Sequence, residues 1–132
     1  MWGNNQKTLK KETSFSGIGL HSGLSVDVIL TPANSNSGIV FKRIDLDRDN
    51  EIIANFKNVS SAKLCTKIEN ESGASVSTIE HLMAAFYICG IDNLIVSLNG
   101  PEVPIMDGSA KDFVKIIKKC GLKTLEGKRK FV

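Results

Sequence analysis

The run Ser77-Thr78-Ile79-Glu80-His81 sets a carboxylate directly beside an imidazole. A glutamate can take a proton from water and a histidine can hold a divalent metal, so Glu80 and His81 have the types of a general base and a metal ligand. The same spacing has a structural use. Ser-x-x-Glu is the capping-box pattern, in which Glu80 would reach back to the free N–H groups of a helix start. By spacing alone, capping is the more frequent use. The common zinc-hydrolase patterns do not fit: HExxH is absent, and HxxEH would need a histidine where Ser77 stands. The chain has 2 histidines, whereas a catalytic zinc ordinarily takes about three protein ligands.

The other histidine, His21, lies in Gly17-Ile18-Gly19-Leu20-His21-Ser22-Gly23, a glycine-rich stretch that reads as a tight loop. There it is either a substrate contact or a turn residue. A third stretch, Pro101-Glu102-Val103-Pro104-Ile105-Met106-Asp107-Gly108-Ser109-Ala110, reads as a proline-stiffened loop entering a helix. Asp107 or Ser109 would be the N-cap, and Ser109 and Asp112 have capping-box spacing. Capping explains these residue types but not why an aspartate and a serine are both present.

The elements that carry these stretches can be read from periodicity. Strands are expected at 8–16, 25–31, 39–43, 52–56, 64–69 and 93–98, the second on the strict alternation of Val26, Val28 and Leu30. Helices are expected at 78–89, stopped by Gly90, and at 109–120, stopped by Gly121. The segment 123–132 shows neither pattern and ends on the apolar pair Phe131-Val132, as if the chain were cut short. Strands followed by helix, strand and helix predict an α+β fold, a two-layer sandwich with two main helices on one face of a mostly antiparallel sheet.

The two helices differ. In the second, Ala110, Phe113, Val114 and Ile117 form one stripe and lysines cover the rest, so its outer side should face water. The first is apolar nearly all round. At about 100° per residue, Ile79, Leu82, Met83 and Phe86 share one face, and His81, Ala84, Ala85 and Ile88 the opposite one. Only one face can rest on the chain's own sheet. The other calls for a partner, a second domain or a second subunit, docked over His81.

Composition narrows the class. The 132 residues are 42% hydrophobic and 23% charged, with net charge +3, an ordinary globular balance. Mild charge, scattered lysines and few aromatics do not indicate nucleic-acid binding. No apolar run approaches the roughly 18–20 residues that cross a bilayer, and the start of the chain is polar, unlike a signal peptide. The 3 cysteines, Cys65, Cys89 and Cys120, are far apart, as expected of free thiols in a reducing cytoplasm. A soluble, non-exported protein is expected.

Taken in order, several stretches resemble the zinc-dependent UDP-3-O-acyl-N-acetylglucosamine deacetylases of lipid A biosynthesis. They are Gly17 to Gly23, Leu64-Cys65-Thr66, Ser77 to Ala85, Gly90-Ile91-Asp92-Asn93, and Pro104 to Ala110. The ordered set covers nearly the whole chain and is specific, although each stretch alone is weak. The resemblance implies a zinc cofactor, with His81 as its first ligand and Glu80 as the base that activates the attacking water. It implies that Leu64 and Cys65 line the sugar and acyl site, and that His21 and Asp107 lie around the active site. The remaining ligands, a His and an Asp in an HxxxD pattern, belong to the family's second domain. So residues 1–125 would be the N-terminal domain and 126–132 the start of a linker. The substrate would be UDP-3-O-(3-hydroxyacyl)-N-acetylglucosamine, without nucleic acid or stable membrane insertion. A chain with one zinc ligand would be inactive alone. A non-catalytic α+β binding module of the same fold is the competing class.

Overall fold

The computed structural model describes residues 5–55, 59–61 and 66–129. Its central sheet has the order β2 (Thr13–Ile18), β3 (Ser25–Pro32), β9 (Leu94–Leu98), β4 (Ile39–Arg43), β5 (Glu51–Ile53). Neighbours run antiparallel except β4 and β9, which are parallel. The alternation expected of β3 holds: Val26, Val28 and Leu30 are buried, whereas Ser25 and Asp27 face water. Leu94, Val96 and Leu98 of β9, Phe41 of β4 and Ile52 of β5 complete the buried face.

Helix α1 (Glu80–Cys89) and helix α2 (Lys111–Cys120) pack against each other and join this core. Leu82, Ala85 and Phe86 of α1 and Phe113, Ile117 and Cys120 of α2 are buried. The Phe113 ring meets Phe15 of β2 at 5.2 Å between centroids. The fold is α+β, with mostly antiparallel sheets and two helices among the described residues, as expected. Gly90 ends α1 in the left-handed conformation at φ 77°, and its N–H reaches the Phe86 and Tyr87 carbonyls. No helix among the described residues is long and apolar enough to cross a membrane.

Several expectations change. The strand expected at 8–16 is two: β1 (Asn5–Leu9) and β2, separated by the exposed charged residues Lys10, Lys11 and Glu12. The segment thought to lack structure forms β10 (Leu122–Lys128), antiparallel to β1. β10 pairs with a strand distant in sequence and is exposed along most of its length, so its own residues leave no hydrophobic alternation to read. Residues 130–132, with Phe131 and Val132, lie outside the described residues. A small sheet of β6 (Val59–Ser61), β7 (Thr66–Glu69) and β8 (Ser75–Ser77) follows β5. β6 and β8, short and serine-rich, carried little strand signal. Of the free cysteines, Cys89 is half-buried and Cys120 buried, and the Cys120 thiol donates to the Lys11 carbonyl at 3.1 Å.

The orientation inferred for α1 holds with two adjustments. Ile79, Leu82 and Phe86 face the core, while Ala84, Tyr87 and Ile88 are exposed, Tyr87 by 88%. Ala85, expected outside, is fully buried, because its small side chain faces the core beside Phe86. Met83, expected in the core stripe, is only half-buried at its margin. An apolar outer face on α1 therefore remains, carried by Tyr87 and Ile88 more than by the alanines.

Candidate functional site

The centre of the site is a residue that the sequence reading passed over. Glu102 lies between two prolines in a short bridge-forming segment. Its neighbour Val103 donates to the Ser77 carbonyl at 3.1 Å, and Ser77 donates to the Pro101 carbonyl at 2.8 Å. That segment also meets the glycine loop, where Gly19 pairs with Pro104 and Ile105 donates to the Ile18 carbonyl at 3.0 Å. Three sequence-distant stretches thereby converge on one carboxylate that is only 4% exposed.

Glu102 accepts from every side. The Ser22 N–H lies 2.9 Å from Oε1, the Thr78 hydroxyl 2.7 Å from Oε2, and the His21 N–H 3.1 Å from both oxygens. His21 Nδ1 stands 2.8 Å from Oε2. Burial alone would push the Glu102 carboxyl up. The hydrogen bonds from Ser22, Thr78 and His21 favour the ionised form more strongly and hold it down at about 2. An ionised carboxylate can only accept, so Nδ1 carries the proton and the opposite ring nitrogen, Nε2, is left for other contacts. The His21 side chain is 41% exposed. His21, Ser22, Ser77, Pro101 and Glu102 line an open cavity of about 300 Å³. The glycines of the loop have a steric reason. A Cβ on Gly19 would come within 2.5 Å of Glu102 Oε1 and nearer still to Ser22 Oγ, and one on Gly17 within 2.8 Å of Pro104 Cβ.

The depressed carboxyl predicts a pH dependence. A group ionising near 2 when folded and near 4.5 when free contributes stability that is fully present above about 4.5 and lost as pH falls towards about 2. Removing the charge with Glu102→Gln is expected to flatten that acid limb by on the order of 3 kcal/mol. Urea melts of both chains at pH 7 and pH 3 check this: the stability gap between them should narrow at the lower pH.

Thr78 connects this cluster to α1. It is buried, with φ at 61°, a region that a β-branched residue avoids at a cost on the order of 1–3 kcal/mol. Its N–H donates to the Thr66 carbonyl at 2.8 Å and its hydroxyl to Glu102. The chain then enters α1 at Glu80. The capping-box expectation fails here. Ser77 belongs to β8, Ile79 is the N-cap, and no side chain caps the helix. Glu80 sits at the first helical position, where the helix dipole favours a carboxylate, yet its Oε1 is buried with no hydrogen-bond partner among the described residues. A buried acceptor without a donor ordinarily costs about 1–3 kcal/mol, so this one calls for an explanation, such as a catalytic role or a bound water or ion. His81 is half-exposed on the outer side of α1. It makes no hydrogen bond or ion pair to another described residue.

The second expected capping box fails likewise. α2 starts at Lys111 with Ala110 as N-cap and no side-chain cap there. Asp107 instead closes a turn on Ser109, accepting its N–H at 3.0 Å and its hydroxyl at 2.9 Å. Ser109 Oγ in turn accepts the Lys111 N–H at 3.2 Å. These bonds account for the aspartate and serine occurring together, and the hydrogen bonds from Ser109 hold the exposed Asp107 carboxyl below its ordinary range. The loop bends through left-handed Met106, φ 53°, and Gly108, φ 83°.

Of the expected site residues, the structure ties His21 to the entrance of α1, which carries Glu80 and His81. It leaves Asp107 in a separate exposed turn farther along the Pro104–Ala110 stretch. Leu64 and Cys65 lie outside the described residues. No three His, Cys, Asp or Glu side chains gather to hold a metal ion among the described residues. His81 and Glu80 stand next to each other at the start of α1, and no further such group joins them into a cluster of three among the described residues. The missed residue, Glu102, had one readable sign: an acidic side chain inside the apolar run Pro101 to Met106.

Comparison with known proteins bears on this geometry. The family model described as LpxC: UDP-3-O-acyl N-acetylglycosamine deacetylase matches residues 6–132. A UDP-3-O-acyl-N-acetylglucosamine deacetylase of Geotalea uraniireducens (strain Rf4) is 54% identical over 127 residues, 96% of this chain and 41% of its own length. Proteins of the same name from Wigglesworthia glossinidia brevipalpis and Geobacter sp. (strain M21) are 48% and 52% identical, covering 96% of this chain. The chain spans 41% to 43% of the length of these curated relatives.

Proposed function

The chain belongs to the UDP-3-O-acyl N-acetylglycosamine deacetylase family, and from that premise we propose that it supplies the N-terminal part of a zinc-dependent amide hydrolase. The whole protein would remove acetate from UDP-3-O-(3-hydroxyacyl)-N-acetylglucosamine, the committed step of lipid A synthesis, in the cytoplasm. One observation carries the reading within this chain: the buried Oε1 of Glu80 at the start of α1 has no hydrogen-bond partner among the described residues, and next to it in sequence stands the half-exposed imidazole of His81, which pairs with no described residue.

Each residue then has a task. His81 would hold the zinc through its half-exposed ring. A bound zinc ion supplies Lewis-acid activation of water and of the acetamide carbonyl. Glu80 Oε1 would accept the proton of the attacking water, a role that requires an ionised carboxylate with no competing donor. Leu64 and Cys65 would line the sugar and acyl site. His21, with Nδ1 fixed by Glu102, would turn Nε2 towards the substrate, and Asp107 would border the same site. The unit would end near residue 125, with 126–132 opening a connection, although β10 continues to Lys128. The rest of the ligand set would come from a second domain seated on the outer face of α1, over His81, Ala84, Tyr87 and Ile88. Apolar faces of that kind mark docking surfaces.

Zinc affinity of the full-length protein tests the assignment. Replacing a ligand should cost more than the roughly ten- to hundredfold typical of groups that only orient ligands. His81→Ala is therefore expected to weaken zinc binding by more than about a hundredfold and to abolish acetate release. Native zinc affinity in that variant would remove His81 from the metal and favour a non-catalytic binding module.

A further inference from the structure

The path into α1 depends on one unusual residue. Thr78, two positions before Glu80, is held at φ 61° in a buried site. Its backbone is pinned to Thr66, and its hydroxyl ends on Glu102 Oε2 at 2.7 Å. A β-branched residue does not stay in this conformation without external restraint. If the restraint is released, the turn relaxes and the first turn of α1 shifts with it. The other acceptor positions of Glu102 are filled by the His21 and Ser22 backbone and by His21 Nδ1, so the carboxylate is itself fixed in place.

We propose that Glu102 is a positioning residue for the hydrolysis: through the Thr78 hydroxyl it sets the first turn of α1, and with it the Glu80 carboxylate, while the same carboxylate orients the His21 ring. The inference rests on the reading of Glu80 as the base. Glu102 itself touches neither water nor substrate in this role. Its effect travels through one side-chain hydrogen bond and two residues of backbone. A displacement of the base by about 1 Å is enough to cost roughly a hundredfold in rate.

The test uses the full-length, zinc-loaded protein, with kcat normalised to the folded fraction measured by circular dichroism at the assay temperature. Glu102→Gln and Thr78→Val, which removes the hydroxyl but keeps the branched shape, are each expected to lower kcat about ten- to hundredfold. Thr78→Ser keeps the hydroxyl and should recover kcat to within about threefold of the parent. In a Glu80→Gln background, Thr78→Val should cost less than about threefold more, because the group it positions is already gone. If Glu102→Gln does not fold, the Thr78 pair decides alone. Native kcat per folded molecule in Thr78→Val, or losses that multiply with Glu80→Gln, would overturn the positioning role and leave Glu102 as a stabilising contact only. A nearly native Glu80→Gln single variant would instead overturn the base assignment, so the two failures are distinct.

Discussion

Glu80→Gln in the full-length protein is expected to slow acetate release by roughly two to four orders of magnitude while zinc stays bound. The amide keeps the size of the side chain but cannot take a proton at neutral pH. The structure adds a second expectation that separates catalysis from helix capping. Glu80 makes no capping bond, and its Oε1 is buried without a donor, so removing the carboxylate deletes no hydrogen bond among the described residues. Its remaining contribution is the interaction with the helix dipole, on the order of 0.3–1 kcal/mol. The melting temperature should therefore change little. Acetate release and thermal melts of the same preparation decide: a nearly normal rate with a marked fall in Tm would restore the capping role.

The 132-residue chain by itself is expected to release no acetate from the authentic substrate. His81 is the one histidine on α1, and no metal-binding cluster of three side chains exists among the described residues. Catalytic zinc sites use about three protein ligands, so the metal should not be retained through dialysis. Without it, neither the water nor the amide carbonyl is activated, and Glu80 alone faces an unreactive bond. The outer face of α1, with Tyr87 and Ile88 largely exposed, should also lack its cover. Coupled acetate detection on the chain alone and on the full-length protein provides the comparison. Turnover by the chain alone would show that it carries a complete active site.

Much of this fold is legible in the amino-acid sequence itself. The alternation of Val26, Val28 and Leu30, the lysine-covered α2 and the Gly90 stop are local patterns, written within one strand or a few helical turns. The exposed apolar face of α1 follows from the same logic, since a helix apolar all round has more surface to bury than one sheet can cover. The pairing of Glu80 with His81 needed only adjacency. Tertiary structure decided what locality could not. Whether Glu80 caps or stays free depends on where α1 begins, and that is set by Thr78 held against Glu102, 24 positions away. The His21 loop takes its place from the same carboxylate, 81 positions on. β10 exists because β1 lies beside it at the far end of the chain, not because its own residues alternate. Ala85 turns inward because it packs beside Phe86 in the core. Periodicity records which side of an element is apolar. The partner of a single buried carboxylate or of an exposed strand such as β10 is chosen by chain segments distant in sequence, whose meeting leaves no local pattern to read.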